Sequence, residues 1–341
     1  MIQNNQIMEF RSANKVVFGL NAAASTAEEV ATEQFNAEGC DLVIGFGGGS
    51  SLDTAKAVSL MATNGTDFEE MLGYQLVKKR GVPKISVSTT NNAGADIGLA
   101  IVTVTDLETH EHGMIISDFA IPDVVINDPL LTVSMPKSVT ADTGIDVLVT
   151  GIESLVSKTA TPFSDMYAEK VIEICGKYLP RVCAKGGDIE ARSQMAMAAT
   201  MSGIAYMSSM LGAVHGLSYP IAGHLELSHG RSMAPLLPHV MRANIPGNAP
   251  RFALVADLLG YETIGLSDLE AAEMAADAVE KLLDVIGVSY RLRDYGAKKE
   301  DLPSLAQECL ESLKSLDFAF DIPNPIDVTL EDVKEILENA Y

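Results

Sequence analysis

Two hydrophobic rhythms divide this chain near Pro136. Before it, short apolar and β-branched runs alternate with segments of helical spacing; after it, apolar residues recur at three- and four-residue steps with almost no strand pattern. A chain that changes period in this way is expected to fold as an α/β unit, residues 1–135, followed by an all-α unit, residues 136–341. At 341 residues it is long enough for each unit to bury its own core, and the cleft between two such units is the default place for a ligand.

In the first unit the expected strands are KVVFG (15–19), the run DLVIGFG (41–47), KISVSTT (84–90), GLAIVTVTD (98–106) and DVVIN (123–127). Residues 25–38 and 51–63 read as helices, each opening with serine and carrying an early acid. Strand alternating with helix implies a mostly parallel, Rossmann-like sheet. In the second unit the helical period runs through 136–157, 162–179, 188–211 and 269–287.

Charge narrows the partners. With 46 acidic against 24 basic residues the formal net charge is −22, which repels nucleic acid and anionic membrane surfaces. A small molecule or a second copy of the chain, forming a homo-oligomer, is the expected partner. The four cysteines form no C-x-x-C pair or disulfide spacing, and the first residues show no signal-peptide pattern or membrane-spanning run, so a cytoplasmic location is expected.

Two segments carry candidate chemistry. GFGGGSSLDTAK (45–56) joins a strand to a helix; its glycines let backbone N–H groups approach a phosphate, although they serve equally well in a tight turn. AVHGLSYPIAGHLELSHG (213–230) holds three of the six histidines. His215 and Tyr219 share a helical face until Pro220 is expected to disturb it, and His229 follows a glycine-containing connection. Asp146 sits on an otherwise apolar helical face in TADTGIDVLVTGIES and needs a cation, a charged partner or a cap. Two histidines and a carboxylate suit ferrous iron or zinc, while separate local hydrogen bonds for each residue remain open on spacing alone.

Taken together, FRSANKVVFG, GCDLVIGFGGGSSLDTAKA, PDVVINDPLLTVSMP, TADTGIDVLVTGIES, HGLSYPIAGHLELSHGRSMAPLLPHVMR and NPIDVTLEDVKEIL resemble the iron-dependent (group III) alcohol dehydrogenases over almost the whole chain. The resemblance implies hydride transfer between a small alcohol or aldehyde and NAD or NADP, with a divalent metal, iron or zinc, as Lewis acid. It implies Asp146, His215 and His229 as metal ligands. Gly47, Gly48, Gly49, Ser50, Asp53, Thr89 and Thr90 are implied as cofactor-binding residues.

Departures fall on functional positions. A further metal-ligand histidine of the family falls on Thr150, a proton-relay histidine on Tyr219, and a lysine near the cofactor on His112. Tyr219 and the nearby His224 are therefore the candidates for proton transfer. Residues 20–40 leave room for one helix where the family places a further strand–helix unit and strand, so the Rossmann-like domain is expected to be shortened and incomplete. These departures leave two alternatives beside the dehydrogenase. One is a catalytically impaired relative that binds a ligand or partner. The other is a metal enzyme of the glycerol dehydrogenase or dehydroquinate synthase type.

Overall fold

The computed structural model describes residues 32, 34–65, 67–105, 112–315 and 322–341. The expected strand at 15–19, most of the helix at 25–38 and the expected shortening of the sheet lie outside the described residues.

Strands β1 (Val43–Gly47), β3 (Lys84–Ser88) and β6 (Val124–Asn127) form a parallel sheet in the order β1-β3-β6, with Ile44 opposite Ile85 and Val87 opposite Ile126. Helix α1 (Gly49–Asn64) lies on the crossover that parallel pairing requires. A second, mixed sheet joins β2 (Gly73–Tyr74), β5 (His112–Ile116) and β4 (Ala100–Thr105). Helix α1 packs on β1, β3 and β4, and every residue from Leu52 to Met61 is buried, including polar ones. Buried Lys56 is satisfied by the carbonyls of Gly98 at 3.2 Å and Ala100 at 3.0 Å and by Asp53 at 3.5 Å.

The first long helix after the sheets, α2 (Lys137–Val156), is buried on nearly all faces and forms the axis of an all-helical unit. Around it lie α3 (Pro162–Ala184), α4 (Ile189–Ser209), α5 (Ala213–Leu225), α6 (His229–Met233), α7 (Leu237–Leu258), α8 (Asp268–Ile286), α9 (Leu302–Ser315) and α10 (Leu330–Ala340). Thr161, Ser267 and Thr329 each accept from the third residue of the helix they start, which fixes where α3, α8 and α10 begin. One apolar cluster runs from Ala141 to Ala340, whereas the described residues of the α/β part hold two small ones, around Leu60 and around Val43. A large-to-small change in the helical cluster costs about 2–5 kcal/mol.

Pro220 does not disturb its helix, contrary to the sequence expectation: α5 continues to Leu225. Proline removes the bond to the carbonyl four residues back, that of Gly216, and Ser312 Oγ of α9 donates to this oxygen at 2.8 Å instead. A tertiary partner thus replaces the missing local one. Among the described residues no single helix is long and apolar enough to cross a membrane; α4 and α5 pass only as a pair bent by 113°.

Candidate active site

Asp146 comes from the middle of α2, His215 from the first turn of α5 and His229 from the first residue of α6. One ligand atom from each lies within 4.8 Å of the others. That spread matches a divalent ion bound at about 2.0–2.2 Å by imidazole nitrogen and carboxylate oxygen. His215 Nε2 stands 3.6 Å from Asp146 Oδ1. Its other ring nitrogen, Nδ1, donates to Glu153 Oε2 at 2.6 Å, and this fixes the ring and turns Nε2 toward Asp146.

Glu153 is the site residue that spacing did not expose. Its carboxylate accepts from the N–H groups of Gly212 at 3.0 Å and Val214 at 2.6 Å as well as from His215, so it caps α5 and orients the imidazole in one step. It lies seven residues, two helical turns, beyond Asp146 on α2, and that shared face is the signal that could have revealed it. Asn324 adds to the same anchor, accepting from Ala213 N at 3.2 Å and exchanging hydrogen bonds with Asn244.

Asp142, one turn before Asp146, holds the other histidine in place. It accepts from Ser228 Oγ and from Arg231 Nε, each at 2.6 Å, and so ties the start of α6 to α2. The approach is so close that a Cβ on Gly230 would sit 2.0 Å from the Asp142 carbonyl oxygen. His229 meets His215 edge-on at 5.5 Å between ring centres, and Tyr219 stacks on it at 5.1 Å with 13° between the planes.

Burial draws the His215 pKa down, but the carboxylates of Glu153 and Asp146 outweigh it and push it up to about 9. Burial, followed by the Asp146 charge, holds the Tyr219 phenol above the ordinary tyrosine range, so it stays protonated at neutral pH. Thr150 lies one turn beyond Asp146, fully buried, and its Oγ1 has no hydrogen-bond partner. A buried hydroxyl left this way costs about 1–3 kcal/mol, the kind of group that a ligand shell or an ordered water satisfies.

The opposite wall is the β1–α1 turn. Gly47 takes a positive φ of 150°, Gly48 caps α1 without any side-chain bond, and Gly49, Ser50 and Asp53 line the cleft. The first N–H groups of a sixteen-residue helix are thus open to an anion. The altered loop after β3 closes over the turn: Thr89 N donates to Gly47 O at 2.9 Å, Thr90 abuts Gly48, and Asn92 abuts Gly49. Gly47, Gly48, Thr89 and Thr90 shape this turn from behind and do not line the cleft. The His112 side chain lies outside the described residues.

A single cleft of about 480 Å³ reaches from Gly49 and Ser50 to Asp146, His215, Tyr219 and His229. It therefore joins the uncapped N-terminus of α1 to a cluster of metal-type donors. His224 does not belong to it: half exposed on the last turn of α5, it pairs with Glu308 at 2.7 Å, so its expected role in proton transfer or ligation is corrected. Nine residues separate it from His215, and that spacing turns it to the far side of the helix.

The sequence profile of the iron-containing alcohol dehydrogenases matches residues 14–129, and that of the C-terminal region of the Fe-containing alcohol dehydrogenase family matches residues 140–341. The chain is 36% identical over 317 residues to the NAD-dependent methanol dehydrogenase of Bacillus methanolicus, covering 93% of this chain and 81% of that protein. It is also 36% identical over 277 residues to the 1,3-propanediol dehydrogenase of Klebsiella pneumoniae, covering 81% of this chain and 71% of that one. A crystal structure of 1,3-propanediol oxidoreductase superposes with a TM-score of 0.88 at 33% identity, over 93% of this chain and 81% of the other. The chain belongs to the iron-containing alcohol dehydrogenase family.

Proposed function

We propose that this protein is a metal-dependent, NAD-linked alcohol dehydrogenase, interconverting a small alcohol and its aldehyde. The observation that carries the reading is the convergence of Asp146, His215 and His229 in the same cleft as the open N-terminus of α1. These three residues would hold a divalent ion, Fe²⁺ or Zn²⁺, which supplies a Lewis acid for the substrate oxygen. The N–H groups at Gly49 and Ser50 would hold the pyrophosphate of a nicotinamide dinucleotide, which would supply the hydride acceptor for alcohol oxidation.

The chain's own residues do the rest. Glu153 keeps a proton on His215 Nδ1, so that Nε2 is the nitrogen that would release its proton and hold the ion. Asp142 and Arg231 hold the α5–α6 connection and with it His229. Tyr219 packs flat on His229, and its retained proton suits it to donate a hydrogen bond, not to act as a base. Asp53 is held by Lys56, which steadies the second turn of the anion-binding helix.

The charge of −22 and four unpaired cysteines support a cytoplasmic protein with no nucleic-acid or membrane partner. The alcohol and aldehyde oxidoreductases among its relatives favour turnover over a binding protein that has lost catalysis. The test is NADH formation by protein loaded with Fe²⁺ or Zn²⁺ across a panel of primary alcohols. Metal-dependent turnover is expected; its absence with either ion and either dinucleotide would refute the reading.

A further inference from the structure

The backbone at Met210 is strained. Its φ of 57° with ψ of −177° falls in a region occupied almost only by glycine, yet a methionine stands there, at the edge of the cleft. Such a conformation persists only when its surroundings enforce it. Met210 N donates to Tyr206 O at 2.8 Å, and the preceding carbonyl, Ser209 O, accepts from both Ser157 Oγ and Thr159 Oγ1 at 2.6 Å. Three hydrogen bonds thus pin a turn whose product is to present Met210 and Leu211 to the cleft.

Beside them lie the apolar Ile322 and Pro323, the latter held by Lys158 N at 2.9 Å. Val139 of α2 and Leu227 of the α5–α6 connection line the cleft toward the other end of α2. The polar groups among them are already engaged: Thr143 Oγ1 donates to Val139 O, and Ser228 Oγ donates to Asp142, which Arg231 neutralises. Among the described residues no lysine or arginine lines the cleft, while Asp53, Asp142 and Asp146 do.

We infer that the substrate is an uncharged aliphatic alcohol or aldehyde whose chain beyond the reacting carbon is apolar, and that Met210 with Leu211 sets this preference. A second hydroxyl on that chain would lose water without gaining a partner, and an anionic group would find no lysine or arginine lining the cleft to receive it. This rests on the proposed alcohol oxidation. A flexible methionine beside leucine also fills space adaptably, which suits a range of chain lengths more than one rigid shape.

The experiment is kcat/KM of the metal-loaded protein for the straight-chain alcohols from ethanol to pentanol, for 1,3-propanediol, and for 3-hydroxypropanoate. The expected result is a rise of about fourfold per added methylene. 1,3-Propanediol, which matches 1-butanol in size, should fall about tenfold or more below it, with the carboxylate lower still. Met210→Gly separates specificity from folding, because glycine relaxes the strained backbone while removing the side chain. Its melting temperature should stay level or rise while the dependence on chain length flattens. A flat alcohol series, or a diol turned over as fast as butanol, would overturn the inference but leave the dehydrogenase reading intact. An unchanged chain-length dependence in Met210→Gly would overturn the role given to Met210. Failure to oxidise any alcohol would overturn the dehydrogenase reading itself and the inference with it.

Discussion

The two walls of the cleft are built by opposite means. The helical wall presents side chains, Asp146, His215 and His229, and the two histidines are steadied by further groups: buried Glu153 bonds His215, and Asp142 with Arg231 fixes the connection that carries His229. The α/β wall presents backbone, the first N–H groups of α1, and uses glycines to let the loop after β3 close on it. Carboxylates show the same contrast. Glu153 and Asp142 on the helical wall have nitrogen donors within 3.0 Å, whereas Asp96 in the α/β part is 1% exposed and forms no ion pair among the described residues. A side-chain wall should therefore fail residue by residue, and a backbone wall should fail only where a new atom blocks the approach.

The largest effect should come from His215→Ala, which removes an inner ligand. Bound metal should disappear and kcat/KM fall by about a thousandfold or more, since a Lewis acid contributes several kcal/mol to the barrier. Retained metal with retained activity would break the contrast at its strongest point.

Next comes Asp96→Asn, which tests the unpaired carboxylate on the other wall. Burial pushes the Asp96 pKa from 3.8 up to about 6, against the opposing pull of Lys56. The fold favours its neutral form, so the stability it contributes is complete below about pH 4 and is lost as pH rises through about 6. Asparagine lacks that loss. The variant should be more stable by on the order of 3 kcal/mol at pH 7, with the gain vanishing near pH 4, as read from denaturant midpoints at the two pH values.

Glu153→Gln should weaken metal affinity by about 10- to 100-fold, because one amide cannot accept from His215, Gly212 and Val214 at once. Competition against a chelator measures this, and unchanged affinity would show that Glu153 merely caps α5. The smallest effect should be Gly49→Ala, whose Cβ would lie 2.6 Å from Asn92 Nδ2, the end of a flexible side chain. NADH affinity should drop about tenfold with metal content unchanged, and Asn92→Ala in the same protein should restore it.

The change of period at Pro136 made the order of sheets and helices legible, because most helices after it are long and place apolar residues at three- and four-residue steps. Strands β2 and β5 were not: β2 is two residues long, and β5, HGMII, carries too few alternating positions to declare itself. Asp146, His215 and His229 were named from the sequence through a resemblance, and the structure brings them together; the two-turn step to Glu153 was passed over because its partners sit some sixty residues away. Pro220 misled for the same kind of reason, since the hydroxyl that satisfies the Gly216 carbonyl belongs to α9. Long-range hydrogen bonds leave no local pattern, and Met210 shows it again: a residue ordinary in sequence, strained only in its place.

Metal analysis of protein purified without chelator, set beside Asp146→Asn, tests the central claim most directly. The account predicts about one divalent ion per chain in the unaltered protein and close to none in the variant, because two imidazoles alone hold a divalent ion weakly. Equal metal content in both, or none in either after exposure to Fe²⁺ and Zn²⁺, would contradict it.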